Sequence, residues 1–342
     1  MKRNLKKAVI SVLILSSVFS SAFAKEKKSK SKGKAKEVNV GYVDATGGGL
    51  LSDIIGVARD KGFFDAEFNK IGVKLNLVPM TGAGPAINEA LAGGSLDIGE
   101  LGDVPAVLGK VNGVDTKLIA YGGLNTIGSV IAQKGTSYKS IKDLKGKSIA
   151  TLRGSFMHRY LAILLNDAGL SFDDIEWINA QSNVATEMLL SGNVDAIVTA
   201  GGVVSKLWEQ GYNVVVDGRN HPLLHSGGGT IARTKFVEQN PEIIQAYLTA
   251  LAKAKVYAIK NTDALKDQWI STGETGVSYE YLYPNHDNYP TIVKTSETEG
   301  NFKDVLKFLI DNDLTINKKG ISIEEWYDGR FAEKAVEEAS KK

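Results

Sequence analysis

The chain has 342 residues, 41 Lys and Arg against 39 Asp and Glu, four His and no Cys. Without Cys, a lipobox-type lipid anchor, disulfides, thiolate metal ligands and cysteine nucleophiles are all excluded. The near-balance of charge hides an asymmetry: residues 38–342 carry 30 bases and 37 acids, net −7, which argues against nucleic acid as a partner.

Lys2, Arg3, Lys6 and Lys7 precede the apolar run Ala8–Leu15 and the A-x-A triplet Ala22-Phe23-Ala24. This is the pattern of a secretory signal peptide over 1–24, cleaved after Ala24, and the apolar run is too short to span a bilayer. Residues 25–37 hold seven Lys and two Glu among Ser, Gly and Ala, and are expected to form a disordered leader. Export without a lipid anchor favours a periplasm of the Gram-negative type.

From residue 38 the pattern alternates between strand and helix. Strands are expected over 38–42, 73–78, 96–99 and 118–121, with a helix from Leu50 to Lys61 and another ending at Gly93-Gly94. The order then repeats, with strands at 148–151, 175–178 and 194–198 and helices at 156–168 and 184–190. One phrase, E-x-L-x-x-G-x-φ-D-φ-φ (φ apolar or Gly), occurs at 89–99 and again at 187–197. Each copy reads as a helix end, a Gly stop (Gly94, Gly192) and an entering strand whose Asp fixes the turn. Two short similar strands, 128–132 and 229–233, each follow a glycine pair and are expected to be crossovers between lobes. The predicted fold is therefore α/β, with two parallel-sheet lobes joined by two crossover strands and a cleft between them. Lobe 1 is assigned to 38–126 and 229–342, and lobe 2 to 127–228.

The stretches G-A-G-P-A-I-N-E-A-L-A-G-G-S-L-D-I-G-E-L-G-D-V-P-A (82–106), S-I-K-D-L-K-G-K-S-I-A-T-L-R-G-S (140–155) and A-G-L-S-F-D-D-I (168–175) carry a resemblance. They resemble the periplasmic substrate-binding proteins of ABC transporters, in the nitrate/sulfonate/taurine family with a type II periplasmic binding fold. The resemblance implies a monomeric, non-enzymatic binder of a small anionic or zwitterionic solute, with an ABC permease as partner and no cofactor. A thiamine-pyrimidine-like or aromatic solute, or an enzyme on the same fold, are the alternatives. Residues beyond 272 are less typical of the family.

In open α/β lobes, ligands bind beyond the carboxyl ends of the strands. The expected contacts are accordingly Asp44, Thr46, Gly47, Thr81, Gly82, Glu100, Leu101, Gly102, Arg153, Gly154, Ser155, Phe156, Thr199 and Gly201. Arg153 and Ser155 are expected to meet an anionic head, unless Arg153 is solvated and Ser155 only caps its helix. Glu100 departs from the family pattern, where a hydroxyl residue is commoner; with Asp44 it would suit an ammonium group. Asp103 is expected to N-cap a helix, and the tyrosines near 279–289 to pack in a loop or lobe, with an aromatic wall of the cleft as the alternative. The four His show no metal-binding spacing, so no metal is expected.

Overall fold

The computed structural model describes residues 35–44, 49, 51, 53–221, 225–283 and 292–341. The expected signal peptide, nearly all of the leader, and Thr46 and Gly47 lie outside the described residues.

In chain order the first elements are β1 (Glu37–Val43), α1 (Asp53–Asp60), α2 (Phe63–Ile71), β2 (Lys74–Met80), α3 (Ala83–Gly93), β3 (Ile98–Gly102), α4 (Asp103–Val111) and β4 (Thr116–Tyr121). Next come β5 (Thr126–Ala132), β6 (Ser148–Thr151), α5 (Phe156–Asp167), β7 (Glu176–Asn179), α6 (Ser182–Leu190), β8 (Ala196–Ala200), α7 (Gly202–Glu209), β9 (Asn213–Val216) and β10 (His225–Ser226). The chain then forms β11 (Gly228–Arg233), α8 (Thr234–Gln239), α9 (Pro241–Lys260), α10 (Thr262–Ser271) and α11 (Gly276–Leu282). It ends with α12 (Ser296–Asp311), α13 (Ile323–Trp326) and α14 (Arg330–Ser340).

Two sheets organise these elements. The first has the order β2-β1-β3-β11-β4, and the second β10-β5-β8-β6-β7 with β9 beside β5. β1 runs parallel to β2 and β3, and β6 parallel to β7 and β8. The strands that follow the glycine pairs, β5 and β11, enter their sheets antiparallel. The parallel-sheet lobes expected from the sequence are present, and the two crossover strands join them antiparallel, because each crossing reverses the chain.

The repeated phrase builds the same joint twice. Gly94 and Gly192 both adopt left-handed backbone, φ 78° and 76°, where a side chain would be strained. Asp97 then accepts the Asn39 amide of β1 at 3.0 Å, while its own amide donates back to the Asn39 carbonyl at 2.9 Å. Asp195 does the same to Ser148 of β6, at 2.9 and 3.1 Å. Each aspartate thus fixes the register of its strand against the neighbouring parallel strand. Their function is scaffolding.

The chain passes between the sheets at residues 122–125 and again at Gly227. The crossings touch: the Gly122 amide donates to the Gly228 carbonyl at 2.6 Å. A Cβ at Gly122 would come within 2.9–3.0 Å of the Gly228 backbone, so only glycine permits this approach.

Asp103 differs from its expected capping role. Gly102 is the cap, and Asp103, fully buried, accepts Ser226 Oγ at 2.6 Å and the Gly227 amide at 3.0 Å. A carboxylate without solvent needs several donors, and the second crossing supplies two. Asn301 of α12 supplies another, and the Asn301 side-chain carbonyl accepts from Arg159 of α5 at 3.4 Å.

Substituting Asp97→Ala or Asp195→Ala leaves strand-end amides without their acceptor. Each change is expected to lower stability in urea by about 2 kcal/mol while leaving solute affinity unaltered by calorimetry. A loss of affinity with unchanged stability would remove the scaffolding role.

Candidate functional site

A cavity of about 400 Å³ lies where the two crossings meet the carboxyl ends of β1 and β3. Lobe 1 contributes Tyr42 and Val43 of β1, Asp53, Ile54 and Ile55 of α1, and Glu100, Leu101 and Gly102 of β3. The crossings contribute Gly122, Gly123 and Asn125, and on the other side Gly227 to Gly229. From the side of the second sheet come Thr126, at the start of β5, and Gly201, between β8 and α7. Trp269, Leu282 and Tyr283 of the C-terminal helices close the remaining wall. The size suits a small solute.

Its ionisable carboxyl groups are Glu100 and Asp53, set among the neutral polar side chains of Tyr42, Tyr121, Asn125, Thr126 and Tyr283. Glu100 Oε1 accepts from Thr230 Oγ1 and from the Tyr247 hydroxyl, both at 2.8 Å. Both donors fall on one oxygen, so Oε2 receives no hydrogen bond from a described residue. Burial pushes the Glu100 carboxyl up to about 7, against the pull of the two hydroxyls. Asp53 sits at left-handed φ 65°, a conformation that only a few non-glycine residues adopt, with Oδ1 accepting its neighbour's amide, Ile54 N, at 2.8 Å. Burial raises it to about 6, opposed by that amide and by a hydrogen bond from Tyr283. Tyr283 also bonds Asn125 of the first crossing. Among the described lining residues there is no Lys, Arg or His.

Of the residues expected from sequence, the structure brings Glu100, Leu101, Gly102 and Gly201 to the cavity wall. Asp44 is buried beside it at the end of β1, accepting the Gly49 amide at 2.8 Å, and is not on the lining. Thr81 and Gly82 are exposed at the start of α3. Thr199 is buried in β8 opposite Ser129. The turn before α5 lies elsewhere. The Arg153 guanidinium stacks over Trp177, 4.3 Å from the ring centroid, and its amide donates to Asn179 at 2.8 Å. Gly154 is left-handed, φ 74°, and donates to His158 Nδ1 at 3.2 Å. Ser155 caps α5 by accepting the His158 amide at 3.3 Å, and Phe156 packs edge-on to Tyr160. His158 is buried against Trp177, and that burial, with the nearby Arg153, drives its pKa down to about 4.

Sequence reasoning did not single out Asp53, Tyr42, Trp269, Leu282 or Tyr283 as site residues. Asp53 could have been found, since it closes the same glycine-rich turn as Asp44. The C-terminal wall had a fainter signal, the tyrosine run from 279. Tyr279 and Tyr281 do pack, as expected, but Tyr283 reaches the cavity. The segment holding them grips both lobes. Gln268 donates to the Leu51 carbonyl of lobe 1, and Tyr281 bonds Ser129 of β5 at 3.0 Å. Glu274 pairs with Lys206 of α7 at 3.2 Å and lies against Gly202 so closely that a Cβ there would meet its carboxylate at 1.9 Å. The start of α7, where an anion would find helix amides, therefore already faces a carboxylate.

Among the described residues no cluster of His, Asp and Glu could hold a metal ion, and no helix is long and apolar enough to cross a membrane.

A family profile described as NMT1/THI5 like matches residues 53–264. The chain belongs to that family. Within reach of this NMT1/THI5-like chain is a Bacillus subtilis protein described as aliphatic sulfonates-binding, 28% identical over 349 aligned positions, 99% of this chain and 98% of the other. The fold is similar to the crystal structure of a periplasmic sulfonate-binding protein of an ABC transporter from Methylobacillus flagellatus. That likeness has a TM-score of 0.76 at 26% identity and covers 89% of this chain and 95% of the other. A desulfurization enzyme shares the fold alone, with TM-score 0.71 at 15% identity, over 89% of this chain and 99% of that one. The type II two-lobe binding fold is thus the architecture of this chain. The cavity wall from Trp269 onward falls beyond the segment that the family profile matches.

Because its pKa is raised, Glu100 binds a proton more tightly in the folded chain than in the unfolded one. That contribution is complete below the unfolded value near 4.5 and is lost as pH rises through about 7. Glu100→Gln keeps an acceptor for Thr230 and Tyr247 and removes the titration. Without solute, the variant should gain on the order of 2 kcal/mol over the parent between about pH 5 and pH 8, read as a difference in thermal midpoints. A pH-independent difference would contradict this assignment.

Proposed function

We propose that this chain is the solute-binding component of an ABC importer. It captures a small sulfonate-class solute, anionic or zwitterionic, between its lobes, and delivers it to a membrane permease. The observation that carries this reading is the placement of one cavity at the double crossing, with walls from both lobes and from a segment fastened to each. A solute there touches every part that must move when two lobes close about a hinge, so binding and closure share one free energy. The sulfonate class rests on the relatives' described ligands. The proposed contacts are Glu100, Leu101, Gly102 and Gly201, joined by Asp53, Tyr42, Trp269 and Tyr283. Arg153, Ser155, Thr81 and Thr199 are assigned to the scaffold.

The non-enzymatic reading is supported by the lining, which among the described residues holds no Ser, Cys, Lys or His to act as a nucleophile beside a base. The export reading is supported by the basic and apolar pattern of residues 1–24 and by relatives described as periplasmic.

The test is a thermal-shift screen of alkanesulfonates, aminoalkanesulfonates and nitrate, on the parent and on Arg153→Ala, with product analysis by mass spectrometry. A bound solute at about 100 times its Kd adds roughly 2.7 kcal/mol and should raise the midpoint by several degrees, equally in both proteins. No shift with any of these solutes, or conversion of one to product, would overturn the reading. A shift lost in Arg153→Ala would return that residue to the site.

A further inference from the structure

We propose that the solute carries a cationic nitrogen, seated against the open oxygen of Glu100 and the carboxylate of Asp53, on an apolar body that lies along Trp269, Leu282 and Tyr283. This deepens the solute-capture reading above and rests on it.

Four observations lead there. First, the charge of the cavity is one-sided: two carboxyl groups line it, and among the described lining residues there is no basic side chain to balance them. Carboxylates largely withdrawn from solvent are costly unless paired, so a site that sets two of them on one cavity is arranged for a partner of opposite charge. Second, Glu100 is oriented for one. Thr230 and Tyr247 both donate to Oε1, which fixes the carboxylate plane and leaves Oε2, on a side chain that lines the cavity, without a hydrogen bond from a described residue. Third, the lobe-2 edge offers an anion little. The start of α7 next to Gly201 is already faced by Glu274, and the Arg153 guanidinium lies over Trp177. Fourth, the C-terminal part of the lining is aromatic and apolar. Trp269 is held by its Nε1 to Ser278 Oγ at 2.8 Å, and Tyr283 is held through Asp53 and Asn125, so both rings are preorganised to take a hydrophobic body. Aromatic faces also favour a neighbouring cation.

The groups around the two acids are hydroxyls and amides. Glu100 is faced by Thr230 of β11 and Tyr247 of α9, and Asp53 by the Ile54 amide of α1 and Tyr283 after α11. None of these titrates near neutrality, so among the described lining residues the two carboxyls are the groups whose ionisation makes binding depend on pH there.

Three probes separate the possibilities in isothermal titration calorimetry. They are N-cyclohexyl-3-aminopropanesulfonate, an unbranched alkanesulfonate of matched length without nitrogen, and cyclohexylamine without a sulfonate. The aminosulfonate is expected to bind about tenfold or more tightly than the alkanesulfonate, and Glu100→Gln should erase most of that preference. In the parent, affinity for the aminosulfonate should rise from about pH 5.5 to pH 8 as the carboxyls ionise, by at most about tenfold per pH unit per group. Cyclohexylamine binding as tightly as the aminosulfonate would uphold the cation and remove the sulfonate from the reading above. An alkanesulfonate bound equally well, indifferent to Glu100→Gln or weakened as pH rises, would overturn the cation while sparing the importer. Failure of all three to bind would overturn both. The pH profile of the parent decides the matter even if the variant does not fold.

Discussion

Two backbone segments cross between the sheets within hydrogen-bonding distance of each other, and the rest of the molecule is arranged around that contact. Gly122 and Gly228 approach too closely for any side chain between them. The crossing is then secured by a buried carboxylate, Asp103, whose donors come from the second crossing and from α12. Breaking such a cluster by removing one partner leaves a charge uncompensated in the interior, which is why it behaves as a single unit. It also reaches across the lobes, since Asn301 bonds both Asp103 and Arg159 of α5. The cavity lies beside this unit, with the glycines of both crossings, Gly122, Gly123 and Gly227 to Gly229, forming part of its lining.

Charge gives the cavity its chemical character. A chain whose relatives are described as sulfonate binders would be expected to present a base to its solute, and the sequence offers Arg153 for that task. The folded chain instead stacks that guanidinium on Trp177 and turns Glu100 and Asp53 inward. The C-terminal helices reinforce this, placing Glu274 at the start of α7 and the rings of Trp269 and Tyr283 on the same cavity as the acids. A zwitterion reconciles the relatives with the lining, because its positive end answers the carboxyls while its negative end keeps it in the sulfonate class.

How much of this was legible in the sequence depends on the range of the interaction. Gly94, Gly192, Asp97 and Asp195 were readable because a helix stop, a turn and a strand entry lie within a dozen residues and appear twice. The placement of Glu100, Leu101, Gly102 and Gly201 on the cavity wall was readable because strand ends face the cleft in any open α/β lobe. The stacking of Arg153 on Trp177 was not, since Trp177 belongs to another strand and no local pattern announces that pairing. Asp103 was read as a cap because Asp before an apolar run often is one; its real donors, Ser226, Gly227 and Asn301, lie more than a hundred residues away. The wall formed by Trp269 and Tyr283 depends on α10 and α11 folding back across both lobes, which periodicity cannot express.

The central claim is that the two lobes close on a solute held at their crossing. The absence of Cys lets two be introduced cleanly, and the repeated phrase supplies matched sites, exposed Glu89 on α3 and exposed Glu187 on α6. In a Glu89→Cys, Glu187→Cys double variant carrying spin labels, pulsed electron paramagnetic resonance measures the distance between lobes. The account predicts that saturating solute shortens and narrows the distance distribution. Tight binding with an unchanged distribution would contradict it.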